Sequence, residues 1–330
     1  MVGKRRYLRW FCESKCWFSH DRRGIIMLAY GYQKFGGPAV FETLVQPALH
    51  LTDNQILIET AAVNLTDEDR LERLGTKANV DLPHIPGHDV VGRVIQVGAA
   101  VTDFKIGTLV AAHTTETYAE QVCVDSDLAV TVPDDLTPAS AVSLITPGII
   151  AYKTVRYFAD VQADQTVIVK GAGSPVGLLV VQLAKRLGAH VIAVASGRYA
   201  DLITSLGVDQ FVDYQQQNPV HVLADRGDVI INVALDGVGG KDDLAMAKFD
   251  ATIASFAHRL PATSKSIRFQ AIQPTEVISD QATLQLLFKL LATHQLITTI
   301  AAELPFDLNG FIQGHQQLDE PHIGQIVIVR

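Results

Sequence analysis

The alternation of apolar and polar positions changes character twice along this chain. Residues 27–148 carry short apolar or alternating runs punctuated by Gly and Pro, among them GRVIQVG (92–98), the rhythm of an all-β segment. From about 149 to 295, apolar runs at 166–169, 191–195, 210–213, 229–235 and 252–256 read as strands separated by stretches of helical period. Ser279–His294, rich in leucine at helical spacing, reads as the last helix, and the final thirty or so residues return to strand and turn.

The sharpest local signal is TVIVKGAGSPVG (166–177), a strand that enters a glycine-rich turn opening a helix. Val176, Leu179, Val180, Leu183, Ala184 and Leu187 recur at helical spacing, and Gly188 stands where a helix-ending glycine belongs. With VIAVA (191–195) following, the whole is a βαβ unit of about thirty residues, the context a dinucleotide-phosphate site requires. Glycine lets the backbone approach a pyrophosphate, and the helix N-terminus offers it free N–H groups and a positive dipole end. Gly171, Ala172, Gly173, Ser174, Pro175, Val176 and Gly177 are therefore the candidate cradle. Pro175 suits a first helical turn but removes one donor, which the Ser174 hydroxyl is expected to replace.

Composition narrows the classes. A length of 330 residues suggests two domains, and 48 % apolar with 19 % charged residues describes a globular chain with a large core. A net charge of −8 argues against nucleic acid or an anionic membrane as the main partner, and no apolar run reaches the roughly 18–20 residues of a membrane span. Three cysteines give no disulfide framework, which suits a cytoplasmic protein.

Residues 1–26 stand apart. They hold both tryptophans, Cys12 and Cys16, and seven Lys/Arg against two acids, so they carry +5 and residues 27–330 carry −13. No signal-peptide core follows the basic start. Cys12, Cys16 and His20 are spaced four apart but lack a fourth ligand for a metal. Arg22-Arg23-Gly24 can be encoded by a purine-rich ribosome-binding sequence, so translation is expected to start at Met27, with 1–26 a mis-called or disordered extension.

From Met27 onward the chain resembles the zinc-independent quinone oxidoreductase branch of the medium-chain dehydrogenase/reductases. The likeness runs in order through FGGPAVFE (35–42), IPGHDVVGRVIQVGAAVTDFKIGTLV (85–110), YAEQV (118–122), GAGSPVGLLVVQLAKRLGAHVIAVAS (171–196), LGVDQFVDY (206–214), DGVGG (236–240) and GQIVIV (324–329). It implies an α/β Rossmann domain with a six-stranded parallel sheet (149–295) inserted into a GroES-like, mostly β catalytic domain (27–148 plus 296–330). It also implies a homodimer joined at edge strands, with TIASFA (252–257) and the segment to Ala271 as the place.

The expected cofactor is NADPH. The second strand of the βαβ unit ends Ala195-Ser196-Gly197-Arg198, with no acid to bind a ribose 2′-hydroxyl, whereas Ser196 and Arg198 suit a 2′-phosphate. Arg198 can equally be the solvated start of a helix. The resemblance adds Tyr214 beside that phosphate and Phe256 to the cofactor contacts.

His88, in Gly-His-Asp, is how zinc-dependent relatives present a ligand. Here Asn64 replaces their first cysteine, no cysteine lies near 144–152, and no four-cysteine lobe exists, so no metal is expected and His88 reads as structural or pocket-lining. Cys123, in an apolar strand-like run, reads as a buried small hydrophobe.

Without a Lewis acid the acceptor must already be polarised, as quinones and α,β-unsaturated carbonyls are. Asn64 is the candidate donor to the substrate oxygen, Asp67 its orienting partner or an exposed helix-start acid, and His113 a proton donor or a surface residue. Ile150 stands where the resemblance implies a threonine near the nicotinamide, and residues 65–80 lack an aromatic to stack on a large quinone. The competing readings are an alcohol dehydrogenase, an enoyl-thioester reductase, and a non-catalytic NADPH-binding sensor or structural protein.

Overall fold

The computed structural model describes residues 26–77 and 79–330, so the expectations for Cys12, Cys16, His20 and the start at Met27 fall on or adjoin residues outside that description. Strands β1 (Met27–Gly31) and β2 (Glu42–Gln46) form an antiparallel ribbon. β3 (Gln55–Leu65) leads into helix α1 (Asp67–Arg73), which Thr66 and Asp69 start with reciprocal side-chain caps. β4 (Asp89–Val97), β5 (Leu109–His113), β6 (Gln121–Asp125) and β7 (Ala129–Thr131) follow. Helices α2 (Pro138–Val142) and α3 (Ile145–Lys153) then lead out of this region.

The parallel sheet is built next: β8 (Thr166–Lys170), α4 (Pro175–Arg186), β9 (His190–Ala195), α5 (Ala200–Ser205), β10 (Gln210–Asp213), α6 (Pro219–Leu223) and β11 (Gly227–Asn232). It finishes with α7 (Gly240–Met246), β12 (Ala247–Ser255), β13 (Arg268–Ala271) and α8 (Asp280–Ala292). Its strand order is β10-β9-β8-β11-β12-β13, every pair parallel. The order reverses between β8 and β11, and ligands of such sheets sit in the crevice beyond the strand ends at that point. β12 is paired on both sides, so TIASFA itself is no open edge; the edges of this sheet are β10 and, within the expected segment to Ala271, β13.

The chain then returns to the first layer. β14 (Ile300–Pro305), α9 (Leu308–Leu318) and β15 (Gln325–Val329) complete a seven-stranded sheet in which β15 pairs with β3 and β14 is an edge. Helix α9 lies where only strand and turn were expected, and its Gly310 and Gly314 are not turn residues. They are close-approach positions instead. A Cβ on Gly310 would fall 1.9 Å from the Pro305 carbonyl oxygen, and one on Gly314 would fall 2.5 Å from the Leu65 side chain.

Helices α2 and α3 join the layers. One core runs from Ala62, Val91 and Ala111 through Val142 and Ile145 to Val167 and Leu179. Cys123 is half-buried in β6 rather than fully buried. No helix among the described residues is long and apolar enough to cross a membrane.

Candidate active site

The glycine turn after β8 is shaped by three close approaches. Gly171 has φ +74°, and a Cβ there would lie 2.6 Å from the Ala234 nitrogen in the turn after β11. A Cβ on Gly177 would lie 2.2 Å from the Gly171 carbonyl oxygen, so the helix starts hard against the strand end. A Cβ on Gly173 would lie 2.5 Å from the ring of Tyr199, whose hydroxyl donates to the His322 carbonyl at 3.1 Å and ties this turn to the loop before β15. Ala172 is fully buried beneath the turn.

Ser174 does not play the expected part. Its hydroxyl donates to the Gly171 carbonyl (2.8 Å) and accepts from Gly177 N–H (3.0 Å) as the cap of α4. The hydrogen that would have replaced the missing Pro175 donor is thus committed, which leaves the Val176 N–H and the helix dipole to face a phosphate.

Lys170, at the end of β8, is a pin. Its ammonium contacts Asp243 (2.6 Å) and the carbonyls of Val238 and Gly239 (both 3.1 Å), while Asn232 donates to the other Asp243 oxygen at 2.7 Å. Burial outweighs these contacts and raises the Asp243 carboxyl above its usual range. The trio fixes the 233–239 turn opposite the glycine turn.

At the end of β9, Arg198 is exposed, Tyr214 is 55 % exposed, and the Ser196 hydroxyl donates to Gln215 Oε1 at 2.9 Å. An acid is present after all. β10 pairs Asp213 with Ala195, and a Cβ on Gly197 would fall 2.4 Å from Asp213 Oδ2. Its signal, the FVDY strand end, is readable only once the two strands are aligned. Phe256, half-buried, follows β12 on the same edge of the sheet.

The second half of the site centres on Asp89, a fully buried carboxylate at the start of β4. Asp89 Oδ2 accepts from Asn64 Nδ2 (3.2 Å) and the Thr146 N–H (3.1 Å), and Oδ1 accepts from Thr146 Oγ1 (2.6 Å) and meets His113 Nδ1 at 3.0 Å. Asp89 therefore orients Asn64 and His113. Asp67 does not, being an exposed first residue of α1. Asn64 also differs from expectation in which atom is free: Nδ2 serves Asp89, and the buried atom without a partner among the described residues is Oδ1, an acceptor. Such an orphan suits a donor such as a carboxamide N–H rather than a substrate carbonyl.

Pro147, next to Thr146, and Pro175 line one narrow crevice of about 10 Å³ with Leu178, Thr298 and Gly324. The helix that carries Thr146 and the helix that the glycine turn opens thus line the same crevice. Ile150, on α3, is half-buried and offers no hydrogen bond there.

Comparison with known proteins places this geometry. Residues 52–134 match the alcohol dehydrogenase GroES-like domain and residues 175–296 the zinc-binding dehydrogenase family. An NADPH-dependent alkenal/one oxidoreductase of Arabidopsis thaliana is 32 % identical over 62 % of this chain and 57 % of its own length. A quinone oxidoreductase of Salmonella typhimurium is 27 % identical over 63 % of this chain and 65 % of its own. The chain thus spans less than two thirds of these curated relatives. The solved quinone oxidoreductase of Coxiella burnetii superposes with a TM-score of 0.79 at 25 % identity, covering 93 % of this chain and all of the other. The two family matches in order, with both sheets present, place the chain in the medium-chain dehydrogenase/reductases, in the quinone oxidoreductase branch.

Zinc, which the second family's description implies, does not fit around Asp89. A catalytic zinc needs three protein ligands and an open position. Here the carboxylate is ringed by an amide, a hydroxyl, a backbone N–H and one imidazole that turns its Nδ1 to the carboxylate. His88, the adjacent residue, faces helix α1 instead.

Proposed function

We propose that this protein is an NADPH-dependent reductase that passes hydride to quinones or α,β-unsaturated carbonyls without a metal. The observation that carries the reading is the Asp89 cluster, which holds Asn64 and His113 together with Thr146 of α3, the helix that packs against α4 beyond the glycine turn. The names of the plant and bacterial relatives support the same substrate class.

Bound NADPH supplies the hydride. The glycine turn and the N-terminus of α4 would hold its pyrophosphate, and Arg198 with Tyr214 would flank its 2′-phosphate. Asn64 Oδ1 would accept a hydrogen bond from its carboxamide. The chemistry the cofactor would supply is hydride transfer to the β-carbon of an enone, which leaves an electron pair on the carbonyl oxygen. Asp89 holds His113 through Nδ1, which turns Nε2 outward; the imidazolium gives its proton to the resulting enolate. Protomers pair through the open edge of β13.

A panel of quinones, short enals, enones, saturated aldehydes and a crotonyl thioester, with NADPH oxidation followed at 340 nm, tests this. Turnover of quinones or enals, unchanged by a chelator, is expected. Turnover confined to alcohols with NADP⁺, or NADPH binding with no acceptor reduced, would overturn the reading.

A further inference from the structure

His88 and Asp89 are neighbours in sequence, yet their side chains serve different clusters. Asp89 holds Asn64 and His113, whereas His88, 9 % exposed, turns to helix α1. His88 Nδ1 lies 3.1 Å from Asp69 Oδ1, and Asp69 is fixed in turn by Gly87 N–H and by both groups of Thr66. That bond directs Nε2 at Glu72 Oε1, 3.7 Å away and beyond hydrogen-bond range. Glu68 stands one helical turn before Glu72, and one ligand atom from each of Glu68, Glu72 and His88 lies within 4.8 Å of the other two.

The surroundings are those of a metal site. An imidazole that binds a metal donates its second N–H to a carboxylate, as His88 does to Asp69. His84 Nε2 meets the other Glu72 oxygen at 3.4 Å and fixes that carboxylate as well. Independently, the fully buried Tyr32 hydroxyl has no partner among the described residues, and burial with the Glu72 and Asp69 charges suppresses its ionisation, which places it in the field of these carboxylates. A cation already visits the place: the Lys77 ammonium contacts Glu68 and lies 3.6 Å from Glu72 Oε1. Lys77 is about one third exposed, so it can swing out to solvent. One ammonium balances one of the two carboxylates, and a divalent ion balances both.

We propose that Glu68, Glu72 and His88 bind one divalent transition-metal ion of the zinc type, displacing Lys77. An imidazole beside two carboxylates suits zinc and its neighbours rather than magnesium or calcium, which take oxygen ligands. The ion would clamp α1 to the start of β4. It is not placed to act on the substrate: its ligands make no hydrogen bond to Asn64, Asp89 or His113, and His88 meets His113 only ring to ring, with centroids 6.2 Å apart.

The full chain, stripped with a chelator, is titrated with ZnCl₂ by calorimetry and with CoCl₂ by absorption. One ion at this set is expected, its cobalt spectrum showing d–d bands without a thiolate charge-transfer band. Glu68→Gln and His88→Gln should each weaken binding at least about tenfold, and Lys77→Met should tighten it. Should His88→Gln fail to fold, Glu68→Gln and Lys77→Met, both at partly exposed positions, still decide. Absence of binding, unchanged affinity in Glu68→Gln, weaker or unchanged affinity in Lys77→Met, or a thiolate band pointing to the cysteines would each overturn the proposal.

Discussion

His113 Nδ1 lies 3.0 Å from Asp89 Oδ1, and Thr146 Oγ1 reaches the same oxygen from 2.6 Å. The carboxylate is buried and the imidazole is 39 % exposed, so one end of the pair is locked in the protein while the other reaches solvent or substrate. Replacing His113 with Phe removes the proposed proton donor while keeping a ring of similar shape. General acid catalysis contributes about 10²–10⁴-fold, so kcat with an enal should fall about 100-fold or more while the KM for NADPH holds. Asp89→Asn should cut kcat as well, and should also lower Tm, because an amide cannot accept all the donors that converge there.

Cofactor choice turns on two opposed charges at the ends of β9 and β10. Arg198 is exposed and free to meet a 2′-phosphate, whereas Asp213 Oδ2 sits against Gly197 and repels one. A charge-assisted hydrogen bond is worth roughly 1.5–3 kcal/mol, so Arg198→Ala should raise the KM for NADPH about tenfold or more and leave that for NADH unchanged. Asp213→Asn should lower the KM for NADPH severalfold and weaken NADH binding. Steady-state kinetics with both nucleotides checks this, and equal responses of the two cofactors would refute the assignment.

The turn itself is tested by steric means. A methyl group on Gly173 collides with the Tyr199 ring, which can rotate away only by breaking the bond to the His322 carbonyl. Gly173→Ala should therefore raise the Kd for NADPH at least tenfold in a fluorescence titration. Adding Tyr199→Ala should restore part of the affinity, because the obstacle is a side chain. Gly177→Ala meets the Gly171 backbone oxygen instead, so no second substitution should rescue it.

Most of the parallel sheet was legible because its strands are continuous apolar runs and its glycine turn has a fixed place between strand and helix. What escaped depends on contacts between distant residues. Asp213 reaches Gly197 only through the register of β10 on β9. Asp89 gathers Asn64, His113 and Thr146 from β3, β5 and α3, and no spacing in the chain reveals that convergence. Asp67 was a natural partner for Asn64 by proximity in sequence, yet the helix start turns it outward. The short RFQA strand has no apolar run to mark it, and the two glycines of α9 weaken its helical signal; tertiary packing decides both.

His315, on α9, gives the fold an acid-sensitive point. It is fully buried beside Phe41 and Tyr118, with Tyr118 Oη 3.5 Å from Nε2 and no partner for Nδ1 among the described residues. Burial pushes its pKa down to about 3, against an ordinary value of 6.5. Between those values the unfolded chain binds a proton that the folded chain refuses. Its contribution to stability is therefore complete above pH 6.5 and is lost as pH falls toward 3, at about 1.4 kcal/mol per pH unit. Asp319, held below the usual carboxylate range by Arg70 and Arg73 against the effect of burial, adds a loss in the same direction at still lower pH. His88 opposes both: Asp69 and nearby acids raise its pKa against burial, so its contribution is present at low pH and fades as pH rises. Denaturant unfolding of wild type and His315→Phe from pH 7 to 4 separates them. The variant should lose stability less steeply with acid, and parallel curves would mean that His315 takes up its proton without unfolding.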